Sequence, residues 1–193
     1  MMDKLERNEA IKRAQQYIQV SPIYLDTETT GLSPHAEVIE IALVDQAGSV
    51  ILESLVKPRI NSIDPDAFRI HRITMDMLQD APSWQEVWPQ VEAVLAGRLV
   101  GVYNSEFDLR MMQQSHRKYW MNDQIPAENF FCIMKLYARF FGEWDYRRRS
   151  YRWHSLDQAG KQCRIPLPNS HRAKDDALLA RELLLYIANT KMD

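Results

Sequence analysis

PIYLDTETTGLSPHAEVIEIALVD, residues 22–45, is the stretch that decides the fold of this chain. It opens with a short apolar run from Pro22 to Asp26 and, beyond a turn, continues into a second apolar run from Glu37 to Asp45. A third run, Ser49 to Val56, follows a short turn that contains Gly48. Short apolar runs bounded by turn residues predict β-strands. Three such strands joined by tight connections indicate that a sheet begins in antiparallel fashion.

Beyond residue 82, predicted helices alternate with predicted strands. Apolar periodicity and capping residues predict strands at 98–102 and 129–133 and helices at 83–95, 106–120, 134–140, 155–163 and 175–189. A loop with Pro166, Pro168 and Asn169 separates the last two helices. The order strand, helix, strand, helix implies parallel crossover connections. We therefore expect an α/β domain with a mixed five-stranded sheet, antiparallel in its first three strands and then parallel, flanked by helices.

Two segments lie outside this alternation. Residues 3–19 place apolar side chains at three- or four-residue spacing and predict a helix, so we expect an N-terminal helical extension at 1–21 and the main domain at 22–193. Residues 57–82 are rich in Pro, Asp and Arg and predict a long surface connection, with at most a short helix near 74–78. Trp84 and Trp88 share one face of the helix after Ser83 and are interpreted as core residues.

Composition limits the class of protein. The chain has 193 residues, 46% of them hydrophobic, and a net charge of −2 from 24 basic and 26 acidic side chains. These values are typical of one globular domain and not of a protein that coats nucleic acid through bulk charge. Neither an apolar stretch of about 18 residues nor a signal-peptide pattern is present, so we expect a cytoplasmic protein without a membrane partner. Cys132 and Cys163 form no close pair and are interpreted as reduced core residues.

Acidic residues stand where several elements begin or end. Asp26 and Glu28 are two apart on the first strand, so their side chains point the same way. Asp108 lies in the opening turn of a helix, and Asp175 and Asp176 open the last helix, where a lone carboxylate is usually explained by the helix dipole. Four carboxylates at one end of a sheet repel, because two like charges about 4 Å apart cost roughly 4 kcal/mol at an effective dielectric of about 20. Such a cluster persists if it is protonated or binds cations, and oxygen ligands suit magnesium or manganese.

Three sequence blocks resemble the DnaQ-like exonucleases of the DEDDh type, members of the ribonuclease-H-like superfamily. The blocks are DTETTGL at 26–32, NSEFDLRMM at 104–112 and HRAKDDALLARELL at 171–184. The third matches the family's HxAxxD spacing, which selects Asp176 over Asp175, and Arg172 stands where the sister type has its tyrosine. The resemblance covers about residues 22–188. Tyr103 departs from it, because many relatives have a histidine there.

The resemblance implies a ribonuclease-H-like fold and a metal-dependent 3′-5′ exonuclease that releases nucleoside monophosphates from the 3′ end of single-stranded DNA. It implies two divalent cations, Mg²⁺ or Mn²⁺, held by Asp26, Glu28, Asp108 and Asp176. His171 completes the expected catalytic set as the general base that activates the attacking water. For the terminal nucleotide, the resemblance implies contacts with Thr29, Thr30, Gly31, Leu32, Asn104 and Phe107. Plain core packing is an equal alternative for Phe107.

Two alternatives to a DNA exonuclease stay open at this point. An RNA or oligoribonucleotide 3′-5′ exonuclease would use the same site, and nothing in the sequence recognisably reads a 2′-hydroxyl. A catalytically silent module that binds nucleic acid or assists a polymerase would have lost an acid or the histidine, and all five residues are present. A polymerase or another protein partner is not readable from the sequence.

One local cluster is both basic and aromatic. It consists of Arg147, Arg148, Arg149 and Arg152 interleaved with Tyr146, Tyr151 and Trp153. Arginines can contact phosphates while aromatic faces stack on unpaired bases. The alternative is a solvated loop that its aromatic residues anchor to the core.

Overall fold

The computed structural model describes residues 2–122, 124–167 and 170–192, so the loop residues Pro168 and Asn169 lie outside the described residues. Its strands are β1 Ile23–Thr29, β2 Val38–Val44, β3 Val50–Leu55, β4 Val100–Val102, β5 Phe130–Cys132, β6 Trp144–Asp145 and β7 Ser150–Tyr151. Its helices are α1 Met2–Gln19, α2 Pro65–His71, α3 Trp84–Leu95, α4 Ser105–Lys118, α5 Ile133–Phe141, α6 Leu156–Gln162 and α7 Ala173–Asn189. Short 3-10 turns lie at Asp76–Leu78 and Ala127–Asn129.

Strands β1 to β5 form one mixed sheet in the order β3-β2-β1-β4-β5. β1 pairs antiparallel with β2, and β2 with β3, whereas β1 pairs parallel with β4, and β4 with β5. β2 is buried at every position because both of its faces are covered, while the edge strand β3 exposes several side chains. The expected five-stranded sheet, antiparallel and then parallel, is confirmed.

Alternation along β1 divides the core into two layers. Ile23 and Leu25 point into the layer formed with α3 and α4, where Trp84 and Trp88 are also buried. The interpretation of both tryptophans as core residues is therefore confirmed. Tyr24 points the other way, into the layer formed with α1, α5 and α7. By the same alternation, the carboxylates that follow Tyr24 at every second position of β1 point toward α7.

The N-terminal helix α1 is part of this second layer. Ala10, Ile11 and Ala14 are buried in one cluster with side chains of α5 and α7. The ring of Tyr17 stacks on Phe131 of β5 with 3.8 Å between the ring centroids. Three- and four-residue spacing brings these side chains onto one face of the helix. No helix in the described ranges is long and apolar enough to cross a membrane.

The segment 57–82 contains more structure than a surface connection. α2 forms there because the Oδ1 of Asp64 accepts the N–H of Asp66 at 2.8 Å, and Pro65 occupies the first turn, where its missing N–H costs nothing. Ile73 and Leu78 are buried with Ile39 of β2. The short turn expected near 74–78 is confirmed, whereas the expectation of a mere surface connection was wrong at α2. A helix of seven residues has too few turns for apolar periodicity to reveal it.

Candidate active site

A cleft opens where β1 and β4 part. The two strands pair only as far as Tyr24 with Gly101, and β4 ends at Val102, where the chain turns into α4. β1 continues beyond this point and exposes its carboxyl-terminal half to the cleft. A crevice at the carboxyl ends of parallel strands, where neighbouring connections leave in opposite directions, is the usual ligand site of an open α/β sheet. All five predicted catalytic residues line this cleft: Asp26, Glu28, Asp108, His171 and Asp176.

Three of the acids meet at one point. Asp26 and Glu28 project from the same face of β1 toward the first turn of α7, which carries Asp176. One carboxylate oxygen from each of the three lies within 4.8 Å of the others. Asp175 lies apart from them, since its Oδ2 accepts a hydrogen bond from the Oγ of Ser170 at 2.6 Å. Of the two acids that open α7, the structure brings Asp176 and not Asp175 into this cluster.

Asp108 reaches the same region from the opposite side of the sheet. It lies in the first turn of α4 and is 4% exposed. Its Oδ1 accepts hydrogen bonds from the backbone N–H of Thr27 at 3.1 Å and from the Oγ1 of Thr27 at 2.7 Å. Thr27 stands between Asp26 and Glu28 but points to the α4 face, so it holds the helix start against β1. This contact orients one carboxylate oxygen and brings Asp108 beside Asp26.

The electrostatics of the cluster favour neutral or cation-bound carboxylates. Burial raises the pKa of Asp26 well above its usual range, and the neighbouring Asp108 and Asp176 raise it further. Burial, followed by the charges of Asp176 and Glu40, raises the pKa of Glu28 to about 9. Burial raises the pKa of Asp108 to about 7 although its hydrogen bonds with Thr27 act in the opposite direction. The surroundings therefore do not fully compensate the negative charge that the ionised cluster would carry.

The donor set fits a hard divalent cation. The clustered ligand atoms are carboxylate oxygens, which magnesium and manganese prefer, and thiolates are not among them. The raised pKa values of Asp26 and Glu28 show where positive charge would be most stabilising. A cation would relieve the same repulsion that protonation relieves in its absence. The residues present thus suit a divalent metal centre.

His171 stands at the lip of the cleft. Its Nδ1 is 4.0 Å from the Oδ2 of Asp176, and its side chain is 47% exposed. Its backbone has φ of 54°, the left-handed conformation that a non-glycine residue seldom adopts. The side chain is therefore next to the acids and reachable by water and by a substrate. An imidazole in this position is placed to exchange a proton with a group bound over the acids.

An ion pair that the sequence did not indicate anchors the start of α7. The guanidinium of Arg172 donates from Nε to both carboxylate oxygens of Glu40, at 3.0 and 3.1 Å, and also from Nη2. The N–H of Ala173 donates to Oε2 of Glu40 at 2.9 Å. Glu40 lies opposite Glu28 in the β1–β2 ladder and is 1% exposed. An acidic residue inside the apolar run VIEIALV is the signal that could have revealed it.

A second cavity, of about 290 Å³, adjoins the acids on the side of α2. Thr29, Gly31, Leu32 and Phe107 line it, as do Ile70 and His71 of α2. Leu32 is 77% exposed, whereas Thr30 is 3% exposed and instead accepts the N–H of Glu37 through its Oγ1. Asn104 lines the acidic cleft, and Phe107 lines both cavities while also packing against the core. The sequence did not point to Ile70 or His71, because it did not predict α2.

Backbone contacts hold the wall of this cavity in place. The Nε2–H of His71 donates to the carbonyl of Thr29 at 3.2 Å, while its Nδ1 accepts the N–H of Ile73. The N–H of Asp64 donates to the carbonyl of Thr30 at 2.8 Å. Gly31 has φ of 155°, and a Cβ there would lie 3.0 Å from the Cβ of Asp64. A glycine is needed because the turn after β1 passes this close to the cap of α2.

Comparison with known proteins gives consistent matches. The RNase_T family model, described as Exonuclease, matches residues 23–184. The chain is 34% identical over 182 residues to the uncharacterized exonuclease CP81 of Escherichia phage 186, covering 92% of this chain and 93% of that protein. It is 31% identical over 170 residues to exodeoxyribonuclease 10 of Escherichia coli K12, covering 86% of this chain and 68% of that protein. A structure of exonuclease X in complex with 5′ overhanging duplex DNA matches with a TM-score of 0.65 at 29% identity, covering 88% of this chain and 92% of that one.

Proposed function

This chain belongs to the exonuclease family whose model spans residues 23–184, and we propose that it is a 3′-5′ exonuclease that releases nucleoside monophosphates from the 3′ end of DNA. The observation that carries the proposal is the meeting of Asp26, Glu28 and Asp176 within 4.8 Å, with His171 at the edge of the same cleft. Buried carboxylates with raised pKa values and a nearby exposed imidazole are an unfavourable arrangement for stability alone. They suit hydrolysis of a phosphodiester at that point.

Asp26, Glu28, Asp108 and Asp176 are the proposed metal ligands. Two divalent cations, Mg²⁺ or Mn²⁺, would supply Lewis-acid stabilisation of the charge that develops on the phosphate oxygens and would lower the pKa of the attacking water. The chain positions its ligands from three elements, β1, α4 and α7, each fixed by packing against the sheet. Thr27 orients Asp108 by two hydrogen bonds, and Arg172 with Glu40 fixes the turn that carries Asp176. The carboxylates are thereby held before the substrate arrives.

His171 is the proposed general base. Its exposed imidazole can accept the proton of a water molecule that attacks the terminal phosphorus, and then return it to solvent. Its Nδ1 lies 4.0 Å from the Oδ2 of Asp176, so the imidazole stands directly beside the proposed metal ligands. The exposure of His171 also keeps the proton's exit open, because its side chain lies at the rim and not beneath the acids.

The cavity beside α2 is the proposed binding site of the 3′-terminal nucleotide. Leu32 and Ile70 are exposed apolar side chains on its two sides, 77% and 53% exposed, and can cover the faces of a base. Phe107 lies between this cavity and the acids, so a sugar bound there would present its 5′ phosphate to the cleft. DNA is favoured as substrate because two of the similar proteins, exodeoxyribonuclease 10 and the exonuclease X complex, specify DNA in their names, and RNA is the alternative with the same site.

The proposal is tested by comparing two neighbouring acids. Oligonucleotides of DNA and RNA with the same sequence, labelled at the 5′ end, are incubated with Mg²⁺, with Mn²⁺ or with chelator. We expect a metal-dependent ladder that shortens from the 3′ end, more strongly on DNA. Asp176→Asn should reduce the rate at least about 10³-fold because it removes a metal ligand, whereas Asp175→Asn should stay near the parent rate because Asp175 bonds to Ser170 instead.

The RNA oligonucleotide and the Asp175→Asn variant are the two controls, and they distinguish the ways in which the proposal could fail. Cleavage of RNA alone would replace the DNA substrate and keep the site. Equal loss of activity in both variants would show that the change acts through the fold of α7 and not through the acidic cluster. An absence of cleavage of either nucleic acid with either metal would overturn the exonuclease proposal and favour a binding module.

A further inference from the structure

A small hairpin between α5 and α6, residues 142–153, takes no part in the proposed reaction. Its two strands pair Trp144 with Tyr151 and Asp145 with Ser150. The N–H of Arg152 donates to the carbonyl of Glu143 at 2.8 Å and closes the base of the hairpin. At the tip, Oδ1 of Asp145 accepts the N–H groups of Arg147 and Arg148 at 2.9 and 3.1 Å. These contacts give the segment a defined shape.

The hairpin concentrates positive charge on a protein whose net charge is −2. Arg147, Arg148, Arg149 and Arg152 are all exposed. Arg152 pairs with Glu143, and Arg148 lies 3.9 Å from Asp145 while remaining 79% exposed. Among the residues that the structure describes, no carboxylate pairs with Arg147 or Arg149. Two guanidinium groups are therefore available for an anionic partner, and a third is held only by a weak surface pair.

Aromatic side chains accompany these arginines on the surface. Tyr146 at the tip is 86% exposed and Trp153 at the base is 55% exposed. Trp144 and Tyr151 pack against each other in edge-to-face geometry, with 5.1 Å between ring centroids, and support the hairpin from within. The aromatic residues thus divide into two that stabilise the hairpin and two that offer ring surface to solvent. Exposed rings next to exposed arginines are typical of surfaces that bind unpaired nucleotides.

The base of the hairpin is continuous with the wall of the acidic cleft. Ser155, Leu156 and Asp157, which follow it directly, line the cleft together with the five proposed catalytic residues. The hydroxyl of Tyr103, another cleft residue, donates to the carbonyl of His154 at 2.9 Å. Trp153 is three residues from Leu156, so their Cα atoms are at most about 11 Å apart. The base of the hairpin therefore lies close to the acidic cleft.

We infer that the hairpin is a second nucleic-acid-binding surface, which contacts phosphates and bases of the same strand upstream of the 3′ end held in the cleft. The inference rests on the proposed function, because it places the 3′ end at the acids. Arg147, Arg148 and Arg149 contact backbone phosphates, and Tyr146 and Trp153 stack on bases. The tip residue Arg149 is seven residues from Leu156 and so lies within about 25 Å of the cleft. That limit corresponds to at most about seven nucleotides at the 3.4 Å spacing of one strand in B-DNA.

The test measures how affinity depends on the length of the strand. Fluorescence anisotropy in chelator, which prevents cleavage, gives Kd for single-stranded DNA of 3, about 10 and about 20 nucleotides. The variant Arg147→Glu/Arg148→Glu/Arg149→Glu is compared with Lys12→Glu/Arg117→Glu/Lys191→Glu, three exposed positions on α1, at the end of α4 and beyond α7. Both variants change the net charge equally, so bulk charge is matched. A third variant, Tyr146→Ala/Trp153→Ala, leaves the charge unaltered.

We expect the parent and the dispersed control to bind the longer strands much more tightly than the trinucleotide. The arginine variant should bind the longer strands about tenfold or more weakly. The salt slope of its log Kd should fall by about 2, because each of the three phosphates that is no longer neutralised reduces the slope by roughly 0.7. The aromatic variant should bind the longer strands about fivefold or more weakly. Metal-dependent cleavage of the trinucleotide by each variant shows that the cleft remains folded.

The outcomes distinguish this inference from the proposed function. If the arginine variant and the dispersed control bind longer strands equally, the hairpin is not a nucleic-acid surface, whatever the cleft does. If the parent shows length-dependent binding but no cleavage of any oligonucleotide, the proposed function fails and the hairpin assignment is judged on binding alone. If the arginine variant proves unfolded, the aromatic variant decides, because affinity unchanged by its loss of both rings overturns the inference.

Discussion

Arg172 and Glu40 hold the first turn of α7 against β2, and the positions of His171 and Asp176 depend on that contact. Arg172 follows His171 directly, and its guanidinium donates hydrogen bonds to both carboxylate oxygens of Glu40. Glu40 in turn accepts the N–H of Ala173, the first residue of α7. Neither Arg172 nor Glu40 lines either cavity, so we expect the pair to influence the proposed reaction only through the residues it positions.

Removal of one charge of this pair and removal of both should have different effects. Arg172→Leu leaves Glu40 buried beside Glu28 without compensation, which should cost on the order of 2 kcal/mol, less than a fully buried pair because Arg172 is 39% exposed. This cost corresponds to about 4 to 8 °C in Tm. In Glu40→Leu/Arg172→Leu the Tm should largely recover, while kcat stays at least about tenfold low because α7 has lost its anchor.

Calorimetry and steady-state cleavage with separate kcat and KM test this expectation. Arg172→Lys is the conservative control, since it keeps the charge but loses the two-pronged geometry. A double variant with parental kcat would show that the pair serves stability alone.

At the scale of whole elements, α1 is joined to the main domain by burial and not by a flexible tether. Its apolar face lies in the same core layer as α5 and α7, although residues 1–21 precede the first strand. We propose that α1 folds as one unit with the exonuclease domain at 22–193. Its start also lies near the basic hairpin, since Glu6 borders the groove that Trp144 and Trp153 line.

A substitution at Ile11 tests whether α1 and residues 22–193 unfold together. It is 0% exposed, so Ile11→Ala should reduce the free energy of unfolding by about 2 to 5 kcal/mol. Leu5, on the same helix, is 62% exposed, so Leu5→Ala should change it by less than about 0.5 kcal/mol. Urea denaturation followed by circular dichroism measures both. Two separate transitions, with Ile11→Ala affecting only the weaker one, would contradict a single folding unit.

At the scale of the whole molecule, the acidic cluster lowers the stability of the metal-free protein. The pKa of Glu28 is raised to about 9 in the fold, above the usual value of 4.5, so the protonated form is favoured by folding. The stability associated with Glu28 is therefore fully present below about pH 4.5 and is lost as the pH rises through about 9. A cation that binds the folded state restores stability by mass action.

Glu28→Gln should make the metal-free protein more stable and should weaken its stabilisation by a cation. In chelator at pH 8, the variant should unfold at a higher temperature than the parent, by about 2 to 4 °C for each kcal/mol of burial and repulsion cost that is removed. Added Mg²⁺ or Mn²⁺ should raise the Tm of the parent clearly and that of the variant much less. Thermal scans with and without metal, at pH 5 and pH 8, measure both effects. A parent whose Tm is higher than the variant's in chelator at pH 8 would show that burial and like-charge repulsion of Glu28 do not lower the stability of the metal-free protein.

The sequence by itself predicted the five-stranded sheet and most of the helices around it. Apolar runs separated by turns predicted β1, β2 and β3, and the spacing of Trp84, Trp88 and Leu95 predicted the buried face of α3, because these patterns depend on residues close together in the chain. The choice of Asp176 over Asp175 came instead from the family resemblance and stays a prediction. The alternation of side chains on a strand was enough to bring Asp26 and Glu28 to one face.

Only the tertiary structure decided which distant residues support that chemistry. Glu40 and Arg172 are 132 residues apart, and no local pattern relates them. The cavity wall of Ile70 and His71 depends on α2, a helix too short to show periodicity, and on its contact with the turn at Gly31. The hairpin at residues 142–153 lies near the cleft because the residues that follow it, Ser155 to Asp157 at the start of α6, line the cleft. Local propensity acts over a few residues, whereas these contacts form only when the sheet and its two layers of helices close around a common core.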